Sequence, residues 1–171
     1  MKPHEKHREA GKRRLRIRIA AVQSGSVGRA DTAAKAEEAA EAELSSLGHE
    51  IVSRKSLHGH GASVGSEAEE FLGGSEDVLV LIGGTGMGRD EVTIETVRPM
   101  LEKEIVGFGE LTRMLDSRAG GSGTVLLRAI AGVARGKLVI CLPSSPAVVR
   151  RTLRAFAPEM PHVVFVARKT P

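Results

Sequence analysis

The chain has no tryptophan and no tyrosine, and only Phe71, Phe108, Phe156 and Phe165 are aromatic. A platform that stacks single-stranded nucleic acid needs several exposed rings, so this composition speaks against one. The single cysteine, Cys141, excludes an internal disulfide and a multi-cysteine zinc site. Its setting, "LVICLP", is that of a buried strand, which makes it a core thiol rather than a nucleophile. No apolar run approaches the roughly 20 residues that span a bilayer. The opening "MKPHEKHREAGKRRLRIRIAAVQ" lacks the apolar segment and cleavage site of a signal peptide, so a cytoplasmic protein without membrane contact is expected.

An excess of positive charge is found only at the N-terminus. The formal net charge is +4, yet Lys2, Lys6, Arg8, Lys12, Arg13, Arg14, Arg16 and Arg18 lie within residues 1–18, opposed there by Glu5 and Glu9. The remainder is slightly acidic and carries no overall basic field. Residues 1–14 are therefore expected to be a basic, solvated extension, and nucleic acid is not the expected partner of the folded part. With 171 residues, 41% of them hydrophobic, residues 15–171 suit one domain.

Within that domain strand and helix patterns alternate. "LRIRIAAV" reads as a strand, followed by a helix that Asp31 could cap, with Ala33, Ala36, Ala40, Leu44 and Leu47 on one face and Gly48 at its end. "HEIVSRKSL" predicts a second strand, "HGHGASVGS" a loop, and "EAEEFL" a short helix. "DVLVLIGG" and "KLVICLP" are continuously apolar, as strands covered on both faces are. "TIETVRPMLEKE", interrupted at Pro99, together with "FGELTRMLDSR", "GTVLLRAIAGVAR" and "SPAVVRRTLRAF", predict helices, the last with Ser145 as cap and Pro146 in first position. "HVVFVAR" predicts a final strand. The sum is an α/β domain with a largely parallel sheet covered on both faces.

In such sheets ligands settle beyond the carboxyl ends of strands. After the strand at 77–82 comes "GGTGMGRDE". There Gly83, Gly84 and Gly86 free backbone N–H groups to approach an anion, Thr85 adds a hydroxyl, and Asp90 and Glu91 could hold a divalent cation such as Mg²⁺. The Walker lysine and the dinucleotide-binding spacing are both missing, and such a turn equally fits a plain strand-to-helix corner. Further candidates are Glu110 at a helix start, the loop Gly121, Ser122, Gly123 and Thr124 leading toward a predicted helix, and Pro143, Ser144 and Ser145 in "PSSP". His58 and His60 in "HGHG" have no third local ligand and are read as an exposed loop.

The order "GGTG", "EVTIETVRPMLEKEIVGFGELTRML", "RAIAG" and "CLPSSPAVVR" resembles the MoaB/MogA family of molybdenum cofactor biosynthesis, over nearly everything beyond the basic start. That resemblance implies a three-layer αβα molybdopterin-binding fold that forms trimers or hexamers. It also implies an adenylyltransferase joining AMP from ATP to the molybdopterin phosphate with Mg²⁺, in a molybdenum or tungsten pathway alongside other biosynthetic proteins. It places Gly83, Gly84, Thr85 and Gly86 in the phosphate and pterin turn, with Glu110 as the acid of "GFGE". Glu91 and Asp90 become the metal-holding carboxylates, and Ser122 and Ser145 lie in the two remaining ligand loops. The sequence departs from the family where Glu91 stands for an aspartate, Ser144 for a glycine, Gly123 for a serine, and around Ser24, where an acid is missing. A non-catalytic molybdopterin-binding or scaffold homologue is the alternative these departures leave open.

Overall fold

The computed structural model describes residues 13–23 and 29–169, so the predictions for residues 1–12 and for Ser24 fall outside the described residues. Its centre is a six-stranded sheet in the order β2-β1-β3-β6-β5-β4. The strands are β1 (Arg16–Gln23), β2 (Glu50–His58), β3 (Val78–Ile82), β4 (Lys103–Glu104), β5 (Ile130–Ala134) and β6 (Lys137–Leu142). β2, β1, β3 and β6 run parallel, while β5 and then β4 add antiparallel to one side.

Alternate residues of the central strands serve two cores. Ile17, Ile19, Val80, Ile82, Ile140 and Leu142 point to one. They meet the buried stripe Ala36, Ala40 and Leu44 of α1 (Arg29–Ser46), and Val149, Leu153 and Phe156 of a later helix, α5 (Pro146–Phe156). Ala20, Leu79, Leu81 and Cys141 point to the other, under Val64, Ala68 and Phe71 of α2 (Gly61–Gly73) and Ile94 and Val97 of α3 (Thr93–Val97). Every residue of β3 and β6 is buried, as their unbroken apolar runs require once helices cover both faces. The result is the expected three-layer αβα arrangement.

Several boundaries differ from the sequence prediction. α1 begins at Arg29, so Asp31 lies inside its first turn rather than capping it, and Leu47 is exposed beyond its end. Most of "HGHGASVGS" is helix, because Val64 joins Ala68 and Phe71 in one buried stripe. The helix ends at Val97, Pro99 lies in a 3₁₀ turn, Arg98–Met100, and Lys103–Glu104 forms the edge strand β4.

Two corrections are larger. "GTVLLRAIAGVAR" is not a helix: a 3₁₀ turn, Thr124–Leu126, leads into β5. β5 returns to β6 through Arg135 and Gly136, both at positive φ (50° and 72°), the signature of a two-residue hairpin turn whose twist matches the strands. "HVVFVAR" is not a strand but most of the helix α6 (Met160–Ala167). There Met160 and Val164, one turn apart, both reach the core, and that periodicity overrides the β-branched preference of the run. The helix α4 (Phe108–Arg118) follows the prediction.

One charged residue of β1 is buried within the α2-side layer. Arg18 reaches Glu67 at 2.9 Å, Glu70 at 2.9 Å and Glu76 at 2.5 Å, while Lys55 pairs with the same Glu67 and Glu70 at 2.9 Å. Lys137, opening β6, donates to the carbonyls of Phe71 (2.6 Å) and Gly74 (2.7 Å) and so closes the C-terminal end of α2.

Candidate functional site

The carboxyl ends of β1, β3 and β6 converge on the glycine turn after β3. Gly83 and Gly84 take φ of 101° and 65°, in the region that side chains avoid. The turn is tied on every side. The N–H of Gly83 donates to the Leu142 carbonyl at 2.8 Å, ending β6 against it. The hydroxyl of Thr93 donates to the Gly83 carbonyl at 2.9 Å, and the N–H of Thr93 to that of Gly84 at 2.9 Å. A methyl group on Gly83 would stand 2.5 Å from the Val22 carbonyl oxygen at the end of β1. β1, β3, β6 and α3 thus lock one backbone shape.

Beyond the turn lies a cavity of about 330 Å³ bordered by Gly84, Thr85, Gly86, Glu91, Arg128 and Ser144. Pro143 completes that rim, and Val22 and Leu126 supply apolar wall. The structure therefore brings Glu91, most of the glycine turn and the first half of "PSSP" to one place. Ser145 serves differently: it N-caps α5, its hydroxyl accepting the Val148 N–H at 3.5 Å.

The other predicted acids are elsewhere. Asp90 borders a separate cavity of about 340 Å³ with His58, His60 and Arg89. A turn closed by the Glu91 N–H on the Gly88 carbonyl at 3.0 Å precedes α3, and the neighbouring Asp90 and Glu91 border different cavities. Glu110 lies in a third concavity, about 180 Å³, with Arg98, Glu104 and Arg113, and pairs with Arg113 at 3.3 Å. The loop Gly121, Ser122, Gly123 and Thr124 borders none of these three cavities. It opens a three-residue 3₁₀ turn and not the helix that was expected, so the N-terminal field of a full helix is missing there. Gly121 instead packs against Asp116, whose carboxylate pairs with Arg151 at 2.6 Å.

Arg128 and Glu95 are the residues that sequence reasoning passed over. Arg128 donates from Nη1 to the Gly86 carbonyl at 2.9 Å and from Nη2 to Glu95. Burial works most strongly against the charge of Glu95, but its bond to Arg128, a backbone N–H and the charges of Arg128 and Arg98 together outweigh this and hold the carboxyl below its ordinary range. The available signal was an arginine immediately before the apolar "AIAGVA", hidden while that stretch read as helix.

Among the described residues, no group of three or more His, Cys, Asp or Glu is arranged to hold a metal ion. Magnesium typically binds through one or two carboxylates together with substrate phosphates. Glu91 therefore fits an ion carried in by a phosphate ligand, whereas Asp90 and Glu91 do not form a shared cage. No helix of the described residues is long and apolar enough to cross a membrane.

Glu91 lies directly against Gly86, where a Cβ would overlap its carboxylate. Gly86 has no positive φ, so alanine suits its backbone and the effect falls on Glu91. Gly86→Ala is expected to weaken any activity that depends on the Glu91 carboxylate by about 100-fold, because a misplacement near 1 Å can cost that much. Steady-state kinetics beside a thermal melt checks this, with unchanged turnover counting against a role for Glu91.

Comparison with known proteins gives a consistent answer. The family model described as "Probable molybdopterin binding domain" matches residues 24–162. The chain is 42% identical over 95 residues to a molybdenum cofactor biosynthesis protein B from Staphylococcus epidermidis, covering 54% of each chain. It thus spans about half the length of that curated relative. A crystal structure of a molybdenum cofactor biosynthesis protein B superposes with a TM-score of 0.83 at 30% identity, over 93% of this chain and 99% of the other. The tungsten cofactor synthesizing protein MoaB from Pyrococcus furiosus superposes with a TM-score of 0.79 at 30% identity, over 92% and 99%.

Proposed function

The chain belongs to the molybdopterin-binding domain family, of the MoaB/MogA kind, and on that premise we propose that it acts in molybdenum or tungsten cofactor biosynthesis as a molybdopterin adenylyltransferase. The observation that carries the proposal is the Glu91 carboxylate set beside a locked glycine turn, in one cavity with Arg128 and Ser144. In this reaction a phosphate oxygen of molybdopterin attacks the α-phosphorus of ATP. The new P–O bond forms as the bond to the β-phosphate bridge breaks, and pyrophosphate leaves. The protein's work is then to position two anionic reactants and balance their charge.

The glycine turn lets backbone N–H groups approach a phosphate. Glu91 would share a magnesium ion that accompanies the nucleotide phosphates, and the ion would neutralise charge building on the leaving pyrophosphate. Asp90 borders the separate cavity, so this reading assigns the ion to Glu91. Glu110 and the loop at 121–124 are not among the residues that border this cavity.

Incubating the full chain with molybdopterin, ATP and Mg²⁺ is expected to release pyrophosphate in step with adenylylated pterin. A second reading, binding without transfer, is favoured by the separation of Asp90 from Glu91. Tight pterin binding with no pyrophosphate release under any divalent metal would establish it in place of the first.

A further inference from the structure

Among the described residues that border the Glu91 cavity, Arg128 is the one lysine or arginine. It also borders the concavity that holds Glu110, so its side chain forms part of the wall between the two. Only 26% of the side chain is exposed, which leaves its charge less screened than that of a surface arginine. An arginine carries five N–H donors in a planar fork. Gly86 and Glu95 take one from each terminal nitrogen. Glu95 is half exposed and can turn to solvent at small cost.

We propose that Arg128 is the phosphate-recognising residue of the Glu91 cavity, aligned by the Gly86 carbonyl and restrained by Glu95 until a ligand phosphate replaces that carboxylate. The inference rests on the phosphate-ester ligand proposed above and adds the residue that reads it. Guanidinium matches phosphate through paired, charge-assisted hydrogen bonds, and a phosphate's greater negative charge competes well against one exposed carboxylate. The bond to Gly86 has a second consequence: the same side chain that meets the phosphate also fixes the turn against which Glu91 lies. The phosphate could be that of the nucleotide or that of the pterin, and both are anionic esters of the same kind.

Calorimetric titration of the full chain with Mg–ATP, with pyrophosphate and with adenosine separates phosphate recognition from the rest. An anaerobic fluorescence titration with molybdopterin covers the pterin source. Arg128→Gln is expected to weaken at least one phosphate ligand by about tenfold or more, while adenosine binding moves far less. Whichever ligand suffers the loss is the one whose phosphate meets Arg128. Glu95→Gln keeps the arginine and removes its restraint, so phosphate binding should tighten by roughly threefold, the worth of an exposed ion pair.

A purely structural brace behaves differently. If Glu95→Gln weakened phosphate binding as Arg128→Gln does, or if Arg128→Gln weakened adenosine and pyrophosphate alike, Arg128 would merely hold the turn. Wild-type protein that binds phosphate ligands while Arg128→Gln binds them equally well overturns this inference alone. Wild-type protein that binds neither Mg–ATP nor molybdopterin overturns the functional proposal with it.

Discussion

Glu91→Gln should reduce the proposed adenylyl transfer by about 100-fold or more while the folded state survives, since losing one aligned charged group at a reacting centre has effects of that order. The substitution keeps the length and shape of the side chain and removes only its charge. Glu91 sits at the edge of the turn before α3, outside both hydrophobic cores. Its effect should therefore appear in turnover and in metal dependence. Raising Mg²⁺ should recover part of the lost rate if the carboxylate's task is to hold the ion, because the weakened site then fills by mass action. Turnover within about twofold of wild type across a magnesium titration would remove Glu91 from the mechanism and shift attention to the glycine turn and Arg128. Asp90→Asn supplies the internal contrast. Its side chain borders the other cavity, and a comparable loss there would mean that the two carboxylates act together despite their separation.

The largest expected loss of stability lies far from that cavity. Arg18→Met is expected to cost about 3–5 kcal/mol, the usual consequence of removing one partner of a buried ion cluster. Arg18 retains 8% of its side-chain exposure, Glu67 3% and Glu76 11%, so the substitution leaves carboxylates with little access to water. Burial alone would lower the pKa of Arg18, but the bonds from Glu76, Glu67 and Glu70 outweigh it and raise the pKa above its ordinary value. Burial likewise works against the charge of Glu76, and Arg18, a backbone N–H and the charge of Lys137 together overcome it, holding that carboxyl below its ordinary 4.5. A depressed carboxylate stabilises the fold above its unfolded pKa and loses that contribution as pH falls below about 4.5 toward its folded value. Urea denaturation of wild type and Arg18→Met at neutral pH measures the loss. Adding Glu76→Gln to the methionine variant should restore part of it, because that carboxylate has lost its arginine, whereas Glu67 keeps Lys55 at 2.9 Å. A loss below about 1 kcal/mol for Arg18→Met would mean the cluster is solvated like a surface pair.

Arg18 also shows why the two levels of description part company. In sequence it is one of the basic residues of an alternating stretch, indistinguishable from its neighbour Arg16. In the fold Arg16 reaches the exposed Ser75 hydroxyl at 2.8 Å, and Arg18 is enclosed by three glutamates that lie 49, 52 and 58 residues along the chain. No local pattern encodes those separations. The same limit explains the helix expected over "GTVLLRAIAGVAR". Its spacing of apolar residues suits a helix, but the Arg135–Gly136 turn and pairing with β6 make it a strand. For "HVVFVAR" the β-branched run pointed to a strand, and packing of Met160 and Val164 against the core made it a helix.

What the sequence determined by itself is whatever depends on short-range chemistry. Unbroken apolar runs specified β3 and β6, because only strands covered on both faces can bury every residue. Ser145 followed by Pro146 specified the start of α5. Gly83 and Gly84 marked a turn where positive φ and close approach of Val22 and Thr93 exclude side chains. The ordered motifs carried the family. The tertiary structure alone decided which of these features share a cavity. It joined Glu91 to Gly86, Arg128 and Ser144, turned the adjacent Asp90 away, and set Glu110 apart. Adjacency in a chain fixes neither the direction of a side chain nor its distance from another loop. Those follow from where the strands end and from how the helices pack between them.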